Sequence, residues 1–165
     1  MILILTASGT VGLGMARTVR RQQVQTVALI DALLRLRHEL QYKMTPLPDA
    51  FAVLGEMQNR EVASFFSALS DRLQSSRTCT VGYACRKAMA QTSGLQLTAG
   101  TRSALLSLFD ALGRYDLEGN LQVLELALER LRAEARLIQS GSRARCRTYI
   151  SLAVCTGLAI ALILV

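Results

Sequence analysis

The two longest stretches of this sequence without a charged residue stand at its opposite ends: Met1–Ala16 and Thr148–Val165. As helices rising about 1.5 Å per residue they reach roughly 24 and 27 Å, close to the roughly 30 Å hydrocarbon core that about 20 residues usually cross. Both are short but workable spans. Arg17 can snorkel to lengthen the first, and Tyr149 beside Arg147 has the make-up of an interfacial anchor for the second. A cleaved secretory signal is the competing reading of the first run, but such a signal carries its positive charge ahead of the apolar region, and here Met1 begins it directly. A buried core helix competes for the second run, yet Ser151–Val165 lacks the polar face such a helix shows.

The charge is arranged around these runs. The chain has 165 residues, a net charge of +7 and a pI near 9.8, together with 51% hydrophobic residues and a mean hydropathy of +0.30. Three arginines (Arg17, Arg20, Arg21) follow the first run and four (Arg136, Arg143, Arg145, Arg147) precede the second, while Thr26–Ala135 carries 12 basic and 12 acidic side chains. The whole surplus therefore lies beside the apolar ends. By the positive-inside rule it places residues 17–147 in the cytoplasm and both termini outside. Nucleic acid is a poor match for the basic pI: the middle is neutral, aromatic residues reach only 5% and there is no tryptophan. Arginines at these positions suit anionic lipid headgroups.

Between the runs the apolar residues recur with a helical period: Leu29, Leu33, Leu36 and Leu40; Val62, Phe66, Leu69 and Leu73; and, longest, Leu117, Leu121, Leu124, Leu128, Leu131 and Ala135. No strand-like alternation competes. Breakers divide the stripes at Thr45-Pro-Leu-Pro-Asp49, near Gly55–Asn59, near Ser75–Thr80, at Gly94 with Thr98 as a cap, and at Gly113. Pro46 fits the first turn of a new helix behind a Thr45 cap. The expected fold is all-α: a bundle of about six helices over residues 17–147, its first and last helices continuous with the spans at 1–16 and 148–165. Phe51, Phe65, Phe66 and Phe109 are its expected core.

The N-terminal run also resembles the opening of a dinucleotide fold, in which an apolar strand leads into glycines that let the backbone approach a pyrophosphate. Here the spacing, Gly9-x-x-Gly12-x-Gly14, is G-x-x-G-x-G rather than G-x-G-x-x-G. The chain then continues as Val27–Leu40 with helical spacing instead of a second strand ending in an acid. The same small residues have a membrane reading. Ser8, Gly12 and Ala16, and likewise Ser151, Cys155 and Ala159, fall four apart and would give each span a face for close helix packing.

The inventory is thin for catalysis. The one histidine, His38, sits in a helical run; Cys79 and Cys85 form no repeated zinc-type pair, and there is no Walker A sequence. Reduced, partly buried thiols are the default for such a domain. Glu125, Glu129 and Glu134 interleave with Arg130, Arg132 and Arg136 as on a solvated, ion-paired helix face. No catalytic residue, cofactor or metal is expected. The enzyme alternative, a small membrane-anchored or NAD-binding enzyme, needs either the glycine segment or a cysteine nucleophile.

Two stretches carry a family likeness. Leu36-Arg-His-Glu-Leu-Gln-Tyr-Lys-Met-Thr-Pro-Leu-Pro-Asp-Ala-Phe51 resembles the helix end and proline turn of the stage III sporulation protein AB family. Leu112-Gly-Arg-Tyr-Asp-Leu-Glu-Gly-Asn-Leu-Gln122 resembles that family's Leu-Gly-x-x-Asp-x-Glu-Gly-Gln element, with Asn120 in place of the glutamine. The resemblance implies a membrane protein of the mother cell in an endospore-forming bacterium, part of the channel apparatus between mother cell and forespore. The family is similar to the F-type platform proteins of type II secretion and type IV pilus machines, which are the alternative within the same class. By that analogy its partners are the secretion-type ATPase stage III sporulation protein AA and other channel proteins, with self-association left open. Asp49, Arg114, Asp116, Glu118 and Asn120 are the expected partner contacts, although Asp116 and Gly119 suit a cap and start for the last helix somewhat better.

Overall fold

A computed structural model describes the backbone from Ile2 to Leu164 except residues 76–78, and side chains over residues 17–75 and 79–140. Among the described residues the fold is six helices with no strand: α1 (Ile2–Tyr42), α2 (Leu47–Leu54), α3 (Arg60–Ser75), α4 (Val81–Gln91), α5 (Ala99–Ala111) and α6 (Leu117–Leu164). The expected breaks all appear. The glycine segment at 9–14 lies within α1, so the strand a dinucleotide site requires is replaced by helix.

Each start has its own chemistry. Thr98 Oγ1 accepts the Thr101 amide at 3.1 Å and Thr80 Oγ1 the Tyr83 amide at 3.4 Å, while Asn59 Oδ1 accepts the Val62 amide at 3.1 Å. These bonds satisfy amides that a helix N-terminus leaves open. The Thr45 cap is a correction: no side chain caps α2, whose first turn is entered through Pro46 at φ −56°. The Thr45 hydroxyl instead donates to Glu39 Oε2 at 3.1 Å, and its amide to the Glu39 carbonyl at 3.2 Å.

The core sits where the apolar stripes converge. Leu29, Leu33 and Leu36 of α1 and Leu124, Leu128 and Leu131 of α6 are buried, as are all four phenylalanines. Phe51, Phe65, Phe66 and Phe109 form one cluster with ring centroids 5.0 to 6.4 Å apart, mostly edge to face. Leu117, expected to open the long stripe, is instead 40% exposed, because it begins α6 beyond the end of the core.

α1 and α6 pack against each other as antiparallel rods, with Arg37 Nη1 3.4 Å from Glu125 Oε1. This revises the expected ion-paired face of α6. Glu125 reaches across to α1, and Glu134 accepts the Thr98 hydroxyl at 3.2 Å beside the start of α5. A methyl on Gly100 would meet the Glu134 carboxylate, which would have to swing aside. Farther along α1, the buried Gln25 donates from Nε2 to the Gly94 carbonyl at 2.9 Å and accepts the Gln96 amide at 2.7 Å, tying the α4–α5 connection to α1.

Candidate docking surface

The two family-like stretches meet at one end of the bundle. At the α5–α6 turn, Leu112 is buried and Gly113 adopts φ +83°, the left-handed region in which a Cβ is costly. Asp116 Oδ1 then accepts the Gly119 amide at 3.0 Å, and the Asp116 carbonyl accepts the Asn120 amide at 3.0 Å, starting α6. Asn120 closes the turn: its Oδ1 accepts the Gly113 amide at 3.0 Å and its Nδ2 donates to the Tyr115 carbonyl at 3.1 Å. A methyl on Gly119 would lie 2.7 Å from Tyr115 Cβ, so the close approach requires glycine.

The proline turn is built in a similar way. Glu39, only 7% exposed, accepts from Lys43 Nζ at 2.7 Å and from the Thr45 hydroxyl at 3.1 Å, while Met44 sits at φ +50°. The Lys43 hydrogen bond, against the opposing effect of burial and helped by Thr45, holds the Glu39 carboxyl below the ordinary carboxylate range. Ser70 Oγ donates to the Pro48 carbonyl at 2.8 Å and fixes the start of α2 on α3. A methyl on Gly113 would lie 3.4 Å from Leu47 Cδ1 and 3.6 Å from Val81 Cγ2, which sets the starts of α2 and α4 beside the α5–α6 turn.

The five expected contact residues therefore separate into two kinds. Asp116 and Asn120 turn side-chain atoms inward to build the turn. Asp49, Arg114 and Glu118 are exposed, on the first turn of α2, in the α5–α6 turn and on the first turn of α6 respectively, and none has an ion pair among the described residues. Sequence reasoning missed the apolar residues near the same two turns: Tyr42, Met44 and Tyr115 are 70%, 75% and 58% exposed. The available signal was three large side chains next to turns in a chain with few aromatics.

Replacing Gly113 by alanine should destabilise the domain by about 1–2 kcal/mol, the penalty of an L side chain in the left-handed region. Thermal unfolding followed by circular dichroism measures it. An unchanged midpoint would mean that the turn relaxes freely and does not depend on its glycine.

His38 is exposed, with its ring centroid 4.9 Å from that of Tyr42. Cys79 and Cys85 are both free thiols. Burial, with the nearby Asp110 charge, pushes the Cys85 thiol up to about 12, so it keeps its proton at neutral pH and is a poor nucleophile. Among the described residues no three or more His, Cys, Asp or Glu side chains group to hold a metal, and no helix is long and apolar enough to cross a membrane. The terminal runs at 1–16 and 148–165, with the packing stripes Ser8, Gly12, Ala16 and Ser151, Cys155, Ala159, lie outside the residues whose side chains are described.

The family model of stage III sporulation protein AB matches residues 1–165 of this chain. A solved structure of stage III sporulation protein AB is similar in fold, with a TM-score of 0.68 at 24% identity over 74% of this chain and 97% of that one. Comparison with curated proteins gives no match.

Proposed function

Because the chain belongs to the stage III sporulation protein AB family, we propose that it is a non-enzymatic membrane platform of the channel apparatus between mother cell and forespore. The two terminal runs anchor it in the mother-cell membrane, with the helical domain in the cytoplasm and both termini outside. The end of the bundle built from the two family-like turns docks the secretion-type ATPase stage III sporulation protein AA.

One observation carries this reading. The antiparallel α1 and α6 lead both chain ends away from the end where the proline turn and the α5–α6 turn meet. A domain anchored by its termini would thus present those turns to a cytoplasmic partner. The uncommitted charges Asp49, Arg114 and Glu118, with Tyr42, Met44 and Tyr115 nearby, supply the mixture of apolar anchor and polar rim typical of protein interfaces.

Reversing both Arg114 and Glu118 (Arg114→Glu with Glu118→Arg) should reduce co-purification of the ATPase from sporulating cells several-fold. The helical circular dichroism should stay intact, since neither side chain contributes to the turn. Undiminished co-purification would remove this surface from the assignment.

A further inference from the structure

Where α1 leaves the first apolar run, a cleft of about 370 Å³ opens between that helix and the start of α3. Arg17, Arg20 and Arg21 line it from α1, with Val24 one turn farther along, and Asn59 and Glu61 line it from the α3 side. The spacing i, i+3, i+4, i+7 sets the three arginines and Val24 on one face of the helix. All three arginines are exposed, and none has an ion pair among the described residues. We infer that this cleft holds the phosphate of an anionic phospholipid headgroup, so that the start of α3 as well as α1 rests on the membrane surface.

The donors around the cleft suit a phosphate. Three guanidinium groups against the single carboxylate of Glu61 leave a surplus of positive charge, and the forked donors of arginine match phosphate oxygens. Asn59 commits its Oδ1 to the Val62 amide at 3.1 Å, which leaves its Nδ2 a donor with no partner among the described residues. The Arg60 and Glu61 amides, in the first turn of α3, also lack a partner among the described residues. Open amides and the dipole at a helix start add to the attraction for an anion. Gln25 forms the inner wall, fixed by its bonds to the Gly94 carbonyl and the Gln96 amide. Glu61 opposes the anion, and as the one acid lining the cleft it gives the test a direction.

Depth identifies the source of the phosphate, and on this point the inference rests on the two-span reading above. A bilayer about 40–45 Å thick around a core of about 30 Å leaves a headgroup layer of roughly 5–7 Å on each side. At 1.5 Å per residue Arg17, Arg20 and Arg21 stand about 2, 6 and 8 Å beyond Ala16, through the depth of that layer. A lipid whose chains lie along the uncharged run brings its phosphate to this height, whereas a soluble phosphate ester has no reason to be held there.

The test uses the full chain in detergent, incubated with short-chain phosphatidylglycerol or with phosphatidylcholine of the same chain length, and counts retained lipid by native mass spectrometry. Phosphatidylglycerol should be retained several-fold better, and free glycerol phosphate at equal concentration should not displace it. Arg20→Gln with Arg21→Gln, leaving Arg17 in place, should lower retention about tenfold, from the usual worth of a basic residue beside an anionic headgroup. Helical circular dichroism should stay intact, since neither side chain has a partner among the described residues. Arg143→Gln with Arg145→Gln, beside the second run, should change retention far less, and Glu61→Gln should raise it. Equal losses from the two arginine pairs, equal retention of the two lipids, or a Glu61→Gln chain that binds no better overturns the cleft as a headgroup site. Displacement by glycerol phosphate overturns the lipid as its source. Alkaline extraction of membranes reads the anchoring separately: release of the chain overturns the two-span reading, whereas retention in detergent judges the cleft alone.

Discussion

Phe109→Ala should cost about 3–5 kcal/mol, the usual price of a buried phenylalanine truncated in place. The ring is fully buried and touches each of the other three phenylalanines, with centroids 5.8, 6.1 and 6.4 Å away. It joins α5 to α2 and α3, so the cavity opens where three helices meet and has little room to collapse. Domains of this size are stable by only about 5–15 kcal/mol in total, so the variant should lose roughly a fifth or more of its stability. Thermal unfolding should show a midpoint lower by roughly 10 °C or more. Phe109→Leu, which keeps most of the volume, should lose much less. A drop under about 1 kcal/mol for the alanine variant, against the range measured for such truncations, would show that the aromatic cluster is not what holds these helices together.

The second large effect belongs to alkaline pH. Cys85 keeps its proton up to about 12 in the folded chain, against about 9 for an ordinary thiol, chiefly because burial disfavours the thiolate. The folded state thus holds this proton more tightly than the unfolded state. Stability from it is fully present below the unfolded pKa and is lost as pH climbs from about 9 toward 12. At about 1.4 kcal/mol per tenfold change in proton affinity, the loss approaches 4 kcal/mol at the alkaline end. Cys85→Ala should be less stable near pH 7 and should lose less on going to high pH. Urea unfolding of both chains at pH 7 and pH 10.5 makes the comparison. Parallel losses in the two chains would mean that other groups carry the alkaline limb. Thiol reagents give an independent reading, since Cys79, half-buried and close to the chain surface, should react well before Cys85.

Much of the fold follows from spacing and breakers. The leucine periods locate α1, α3 and α6, Gly113 and Thr98 mark real boundaries, and the four phenylalanines are the core. Local patterns succeed here because each depends on neighbours within a turn or two. The bonds that escaped the sequence reading span long separations. Nothing near Gln25 indicates that its amide serves the connection around Gly94 and Gln96, and nothing near Glu134 indicates that its carboxylate meets Thr98. Thr45 shows how a local rule is overridden: a good capping residue next to a proline is drawn away by Glu39, six residues earlier.

The end of the bundle where the two turns meet was legible as a motif but not as a set of roles. Asp116, Gly119 and Asn120 stand out in the sequence equally with Arg114 and Glu118. Only the three-dimensional turn separates the side chains that make it from those it displays. The amide of Asn120 both accepts and donates across the turn, a use that a glutamine at the same place has the functional groups to reproduce with one more methylene of reach.

The unbroken α1 has a mechanical consequence. It contains no proline, and its helix passes Arg17 and continues to Tyr42 without interruption. From Arg17 to Tyr42 the rod measures about 38 Å at 1.5 Å per residue. Whatever surface holds the chain at Arg17 therefore sets a fixed stand-off for anything bound at the far end. Paired with α6, the helix has no proline or break between Arg17 and Tyr42 at which the two ends of the rod could bend independently.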